Sequence, residues 1–178
     1  FIPLDNSTQE VATTLLSLVC NSPESRAVTL LLDAKASPTQ GTPLYFAARA
    51  GNEHSTLQLL QAKANVNQPS PWRGTALNAA AQFGHTVVCE ALLRANADVN
   101  ASMNDNATPL YFAAQQGYTE AVKLLLNAQA NPNVATAPHS ITPLYIATSQ
   151  NHTAIVESLV HAKAEVNFRR DTGATAVA

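Results

Sequence analysis

The chain has 178 residues, of which 46% are hydrophobic and only 12% charged, with a net charge of −2 and a pI near 6.2. That apolar share supports a sizeable core, while the charged share is about half the usual one and gives no electrostatic ground for binding nucleic acid or an anionic membrane. No apolar run is long enough to span a bilayer, and two cysteines cannot build a disulfide scaffold, so a reduced chain in an intracellular, cytoplasmic setting is expected.

Phe1 to Asp5 reads as a lead-in. Ser7-x-x-Glu10 is a capping box, and Val11, Leu15, Leu16, Leu18 and Val19 follow at helical spacing. Ser22-Pro23-Glu24 opens a second helix, Arg26 to Ala34. From Thr42 a frame repeats: TPLYFAARAGN at Thr42, TALNAAAQFGH at Thr75, TPLYFAAQQGY at Thr108, TPLYIATSQNH at Thr142, and TAVA at Thr175. The steps are 33, 33, 34 and 33 residues, a period that marks a stacked array. The units expected are 42–74, 75–107, 108–141 and 142–174, after a divergent N-terminal unit, 1–41, and before the start of another, 175–178.

One unit explains itself. Thr108 is a good N-cap, and Pro109 suits the first helical position, where its missing N–H costs nothing. Leu110, Phe112, Ala113 and Ala114 give a short helix with one apolar side, which Gly117 ends in a left-handed turn. Ala121, Val122, Leu124, Leu125 and Leu126 make a second helix, apolar around most of its girth. Such a pair buries its faces only against copies of itself.

TPLxxAAxxGH, a leucine-rich second helix and then AxVN resemble the ankyrin-repeat pattern over nearly the whole chain. The resemblance implies an all-α solenoid of helix–turn–helix units with projecting finger loops. The step from the alanine after the second helix to the next threonine is 11 or 12 residues, enough for a β-hairpin finger; from Ala36 to Thr42 it is six, so that finger should be missing. The family places a left-handed glycine where this chain has Lys35, Lys63, Asn96, Gln129 and Lys163. If the geometry holds, Lys and Gln cost on the order of 1 kcal/mol each there. The Ala-x-Ala style, with Asn and Gln in place of charges, is similar to ankyrin arrays in effectors secreted by intracellular bacteria.

Catalytic chemistry is not expected. His85 and Cys89 lie four apart on one helix, but His85 stands at the family's turn position and Cys89 in a buried stripe. No HExxH, CxxC, GxSxG or phosphate-binding glycine loop is present, so no metal and no cofactor is expected. Tyr45, Tyr111 and Tyr145 recur at the fourth position of the first helix and read as repeat packing with hydroxyls at a wet edge. Glu90 and Asp98 read as exposed acids.

What the resemblance implies is a protein partner on the concave side, touched by finger tips and by the residues after the paired alanines. Carried over position by position, these are Arg49 and Ala50, Gln82 and Phe83, Gln115 and Gln116, and Ser149 and Gln150. The fingers add Trp72 and Arg73, Asn104 and Asp105, and Pro138 and His139. Two readings of Trp72 and Phe83 stay open. Either they anchor a partner, or Trp72 folds onto Pro69 and Pro71 while Phe83 packs on the neighbouring repeat. Phe168, before Arg169–Arg170, reads as a second patch or as a contact for whatever follows Ala178. Asn100 and Asn167, each two residues after an acid, resemble the sites of ankyrin-directed asparaginyl hydroxylases. The expected function is protein recognition by a monomeric segment of a larger chain. The alternative is a substrate-targeting arm of a larger enzyme or of a secreted effector acting in a host cytosol.

Overall fold

A computed structural model of the chain describes residues 14–20 and 25–167. The lead-in at Phe1–Asp5, the Ser7–Glu10 box, Val11, the Ser22-Pro23-Glu24 start, Phe168, Arg169–Arg170 and the unit at Thr175 lie outside them.

The described residues form helices in pairs. Residues 14–19 (α1) precede α2 (Ser25–Asp33); then come α3 (Pro43–Arg49) with α4 (Glu53–Gln61), α5 (Ala76–Gln82) with α6 (Thr86–Arg94), α7 (Pro109–Gln116) with α8 (Thr119–Asn127), and α9 (Pro143–Ser149) with α10 (Thr153–His161). Helices α3, α5, α7 and α9 stack in one row, and α2, α4, α6, α8 and α10 in another. Leu44, Leu77, Leu110 and Leu144 form one buried column and Leu59, Leu92, Leu125 and Leu159 a second, so each repeat contributes a leucine to both. The paired alanines of the first row, such as Ala80–Ala81 and Ala113–Ala114, are fully buried and leave no bulk between neighbouring helices.

The frame threonines behave unequally. Thr108 and Thr142 accept the N–H of Tyr111 and Tyr145 with their side chains, each at 3.2 Å, ahead of a proline in the first turn. Before α5 the Asn78 carboxamide accepts both the Thr75 N–H and its hydroxyl, each at 2.9 Å. Thr42 departs from the frame: it has φ +56 and no side-chain cap. The short connection arrives through Gly41 at φ +69, so Thr42 never reaches the extended conformation a cap requires.

All five residues at the family's glycine position are left-handed, with φ of +66 at Lys35, +63 at Lys63 and Asn96, +67 at Gln129 and +62 at Lys163. Between repeats, Asn67, Asn100 and Asn133 accept with Oδ1 the backbone N–H of Asp98, Asn131 and Glu165, each at 2.8 Å. A polar rung thus joins successive units about one period apart.

The fingers are tight loops rather than the β-hairpins expected. The Ser70 N–H donates to the Gly74 carbonyl at 2.8 Å, Met103 to Ala107 at 3.0 Å and Thr136 to Ile141 at 3.0 Å. Among the described residues only the last pair counts as a β-bridge. A turn from the Ser70 carbonyl to the Arg73 N–H, at 2.8 Å, already fills the loop and leaves no residues for a ladder.

Candidate functional site

The short helix α3 carries Tyr45 and Arg49 one turn apart on one face. Arg49 is held at both ends. Its carbonyl accepts the Nε2–H of His85 at 3.1 Å, and its guanidinium sits over the Phe83 ring, 5.6 Å from the centroid. Phe83 and His85 in turn stack at 6.3 Å with their planes 23° apart. Across from them the Trp72 ring leans toward Tyr45, with centroids 6.0 Å apart. Tyr45, Arg49, Trp72, Gln82, Phe83 and Met103 line an open hollow of about 320 Å³. Trp72 is 55% exposed and Phe83 42%, large for residues of this type.

His85 reaches Arg49 because of a glycine. The backbone of Gly51 is left-handed, at φ +69, and a Cβ there would lie 2.5 Å from the His85 ring. Tyr118 fills the same seat at Gly84, and His152 at Gly117, where its Nε2–H donates to the Gln115 carbonyl at 3.3 Å. The rings at His85, Tyr118 and His152, at one place in the frame, therefore each pack onto the glycine of the preceding unit. His85 and Cys89 have separate surroundings. The imidazole is committed to a carbonyl one repeat back, and burial pushes the Cys89 thiol up to about 12. Burial raises Cys20 to about 12 as well, and both cysteines are free thiols.

Four of the residues expected from the sequence, Arg49, Trp72, Gln82 and Phe83, meet in the hollow. The rest do not line it. Arg73 is exposed on the finger beside Trp72. Asn104 and Asp105 are exposed on the next finger, where the Asp105 carboxylate accepts its own loop's Ala107 N–H at 3.1 Å and its carbonyl takes the Ala137 N–H at 2.7 Å. His139 is exposed on the finger after that. Gln115 is half-buried and Gln116 exposed at the end of α7; Ser149 and Gln150 are exposed at the end of α9. Ala50 and Pro138 are exposed too.

Sequence reasoning passed over Met103 and gave Tyr45 only a packing role. It also missed Asn78, buried where the other repeats have tyrosine, whose Nδ2 donates to the Ala101 carbonyl at 3.0 Å and so ties down the finger that carries Met103. Of the tyrosines, Tyr111 is more deeply placed than a wet edge implies. It is 9% exposed, and burial, then the nearby Asp105 charge, raises its pKa. Glu90 is no partner for Asp98. It pairs with Arg94 at 2.6 Å, while Asp98 accepts the Asn100 N–H at 2.9 Å. Asn100 is exposed at this turn, its Oδ1 taken by Asn131, and Asn167 is exposed at the end of the described residues.

A family described as ankyrin repeats, in a three-copy form, matches residues 53–136 and again 77–170, together about two thirds of the chain. The chain belongs to the ankyrin-repeat family. Ankyrin repeats are generally modules for protein–protein interaction and typically non-catalytic. No curated protein matches the chain. Among the described residues of this ankyrin array, no group of three His, Cys, Asp or Glu could hold a metal ion, and no helix is long and apolar enough to cross a membrane.

Proposed function

We propose that the array recognises a partner protein on the face built by the ends of the first-row helices and the fingers, with affinity concentrated at Arg49, Trp72, Arg73 and Phe83. Gln115 and Gln116 extend that face along the row, and Ser149, Gln150, Asn104, Asp105 and His139 give it a polar rim. The observation that carries this reading is the pair of exposed aromatics, Trp72 and Phe83, on the walls of one hollow with Arg49 over the Phe83 ring. Aromatic rings bring large contact areas at small entropic cost, and binding energy concentrates on tryptophan, tyrosine and arginine. If the array serves a larger enzyme or a secreted effector, the same face holds the substrate. Two buried, reduced cysteines suit a reducing compartment such as the cytoplasm.

The test is affinity capture from a eukaryotic lysate on the immobilised chain beside its Trp72→Ala/Phe83→Ala twin. A protein held by the first and lost by the second is the expected result. Retention by both variants places the binding face elsewhere. A separate reading concerns Asn100 and Asn167 as hydroxylation sites, supported by their exposure and the preceding acids. Intact mass after co-expression with an asparaginyl hydroxylase should rise by one oxygen, and an unchanged mass disposes of it.

A further inference from the structure

Resting on that reading of the hollow, we infer the chemistry of its occupant: an acidic peptide segment of the partner protein, placing one carboxylate at Arg49 in the hollow, another at Arg73 on the adjoining finger tip, and an apolar side chain against Trp72, Phe83 and Met103.

Charge is the first argument. None of the hollow's six lining residues is acidic. The ion pairs among the described residues, Arg94–Glu90 and Lys123–Glu120, lie on α6 and α8, in the other row of helices. Neither Arg49 nor Arg73 belongs to one. The acid on the adjoining finger, Asp105, is engaged by its own loop. A chain of net charge −2 thus keeps a small positive site at its largest exposed aromatics.

The way Arg49 is held is the second argument. Its guanidinium meets Phe83 through a face contact, which uses none of its N–H donors. Those donors form a planar fork suited to a carboxylate, and the Phe83 ring lies under one face of it.

The third argument is a strained residue. Arg73 has φ +63; in the next finger the same place, just before the closing residue, holds Asn106 at φ +61. Asparagine tolerates the left-handed region and arginine does not favour it, so the finger carries its cation against its own backbone preference.

Size completes the picture. About 320 Å³ lies at the small end of ligand pockets, with room for a side chain or two of a passing chain. A nucleic acid also offers anions and flat bases, but its backbone calls for a basic stripe, and the remaining Lys and Arg are scattered.

The experiment is fluorescence anisotropy with the 178-residue chain and three labelled probes: a twelve-residue peptide pool mixing Asp and Glu with Leu and Phe, its twin with Asn and Gln replacing the acids, and a twelve-nucleotide oligouridine. The acidic pool should bind at least about tenfold tighter than its neutral twin, the size expected for charge-assisted hydrogen bonds. Arg49→Gln/Arg73→Gln should abolish that preference. Arg73→Asn should weaken the acidic pool severalfold while leaving the melting temperature unchanged or raised, a split that a merely structural arginine would not give. Equal binding of the two peptide pools, or an acidic preference that survives the double substitution, overturns the inference. Tighter binding of the oligouridine does so as well. If no pool binds but lysate capture still depends on Trp72 and Phe83, the acidic occupant is wrong and the binding face stands. If capture is also indifferent to them, both fall.

Discussion

The fingers at 70–74 and 103–107 close with the same backbone bond and carry a left-handed residue at the same place, yet one tip presents Trp72 and Arg73 while the other presents Asn104 and Asp105. Behind them, the helix pairs repeat their leucine columns, their ring-filled glycine seats and their asparagine rungs with little variation. The difference teaches how an array of this kind divides its labour. Joints between units fix the shape, because each must match the next. Finger tips face outward and bear any side chain the closed loop can carry, so they are free to specify a partner. That separation can be broken or sharpened by substitution.

The largest effect belongs to the columns. Leu92→Ala, at a fully buried site, should cost about 3–4 kcal/mol by urea unfolding, because a stacked neighbour cannot collapse into the gap. Next come the glycines, which offer a paired contrast. Gly84→Ala meets both a positive φ and the Tyr118 ring at 2.7 Å and should cost about 2–3 kcal/mol. Gly74→Ala, on the finger, meets nothing nearer than Met103 at 3.5 Å and should change stability by less than about 0.5 kcal/mol. A large loss at Gly74 would mean the fingers are part of the frame after all.

The caps sharpen the contrast between the regular units and the first connection. Thr108→Ala removes a formed cap and should cost about 1 kcal/mol, whereas Thr42→Ala removes none and should cost markedly less. Smallest is a gain: Lys63→Gly, at φ +63, should raise stability by up to about 1 kcal/mol, seen as a melting shift of a few degrees.

How much of this was legible beforehand follows from how local each cause is. The left-handed turns at Lys35, Lys63, Asn96, Gln129 and Lys163 could be read from the resemblance to the ankyrin pattern, which keeps a left-handed glycine there, and they persist without the glycine because the helix end being closed sets the backbone. The Thr108–Pro109 cap was legible from its own residue types. The seat of His85 at Gly51 was not, because its cause lies 34 residues back, across a joint. Thr42 misled because its sequence repeats the frame while its approach through Gly41 does not. At the hollow, Trp72 and Phe83 stood out by residue type on an exposed face. Met103 did not, since a single methionine in a polar finger gives no sign of the neighbour it will meet. Tyr45 looked like its periodic counterparts at 111 and 145, and only Trp72, present in one finger alone, gives it another role.

Trp72 is the sole tryptophan, so its emission reports on the hollow directly. The measurement that bears most closely on the account is acrylamide quenching of Trp72 in the free chain and in complex with a tryptophan-free segment of the captured partner. The account predicts ready quenching in the free chain, as its 55% exposure requires, and strong protection in the complex. Quenching that is unchanged by a saturating, tightly bound partner would put the interface on another face and remove the hollow from the function of this array.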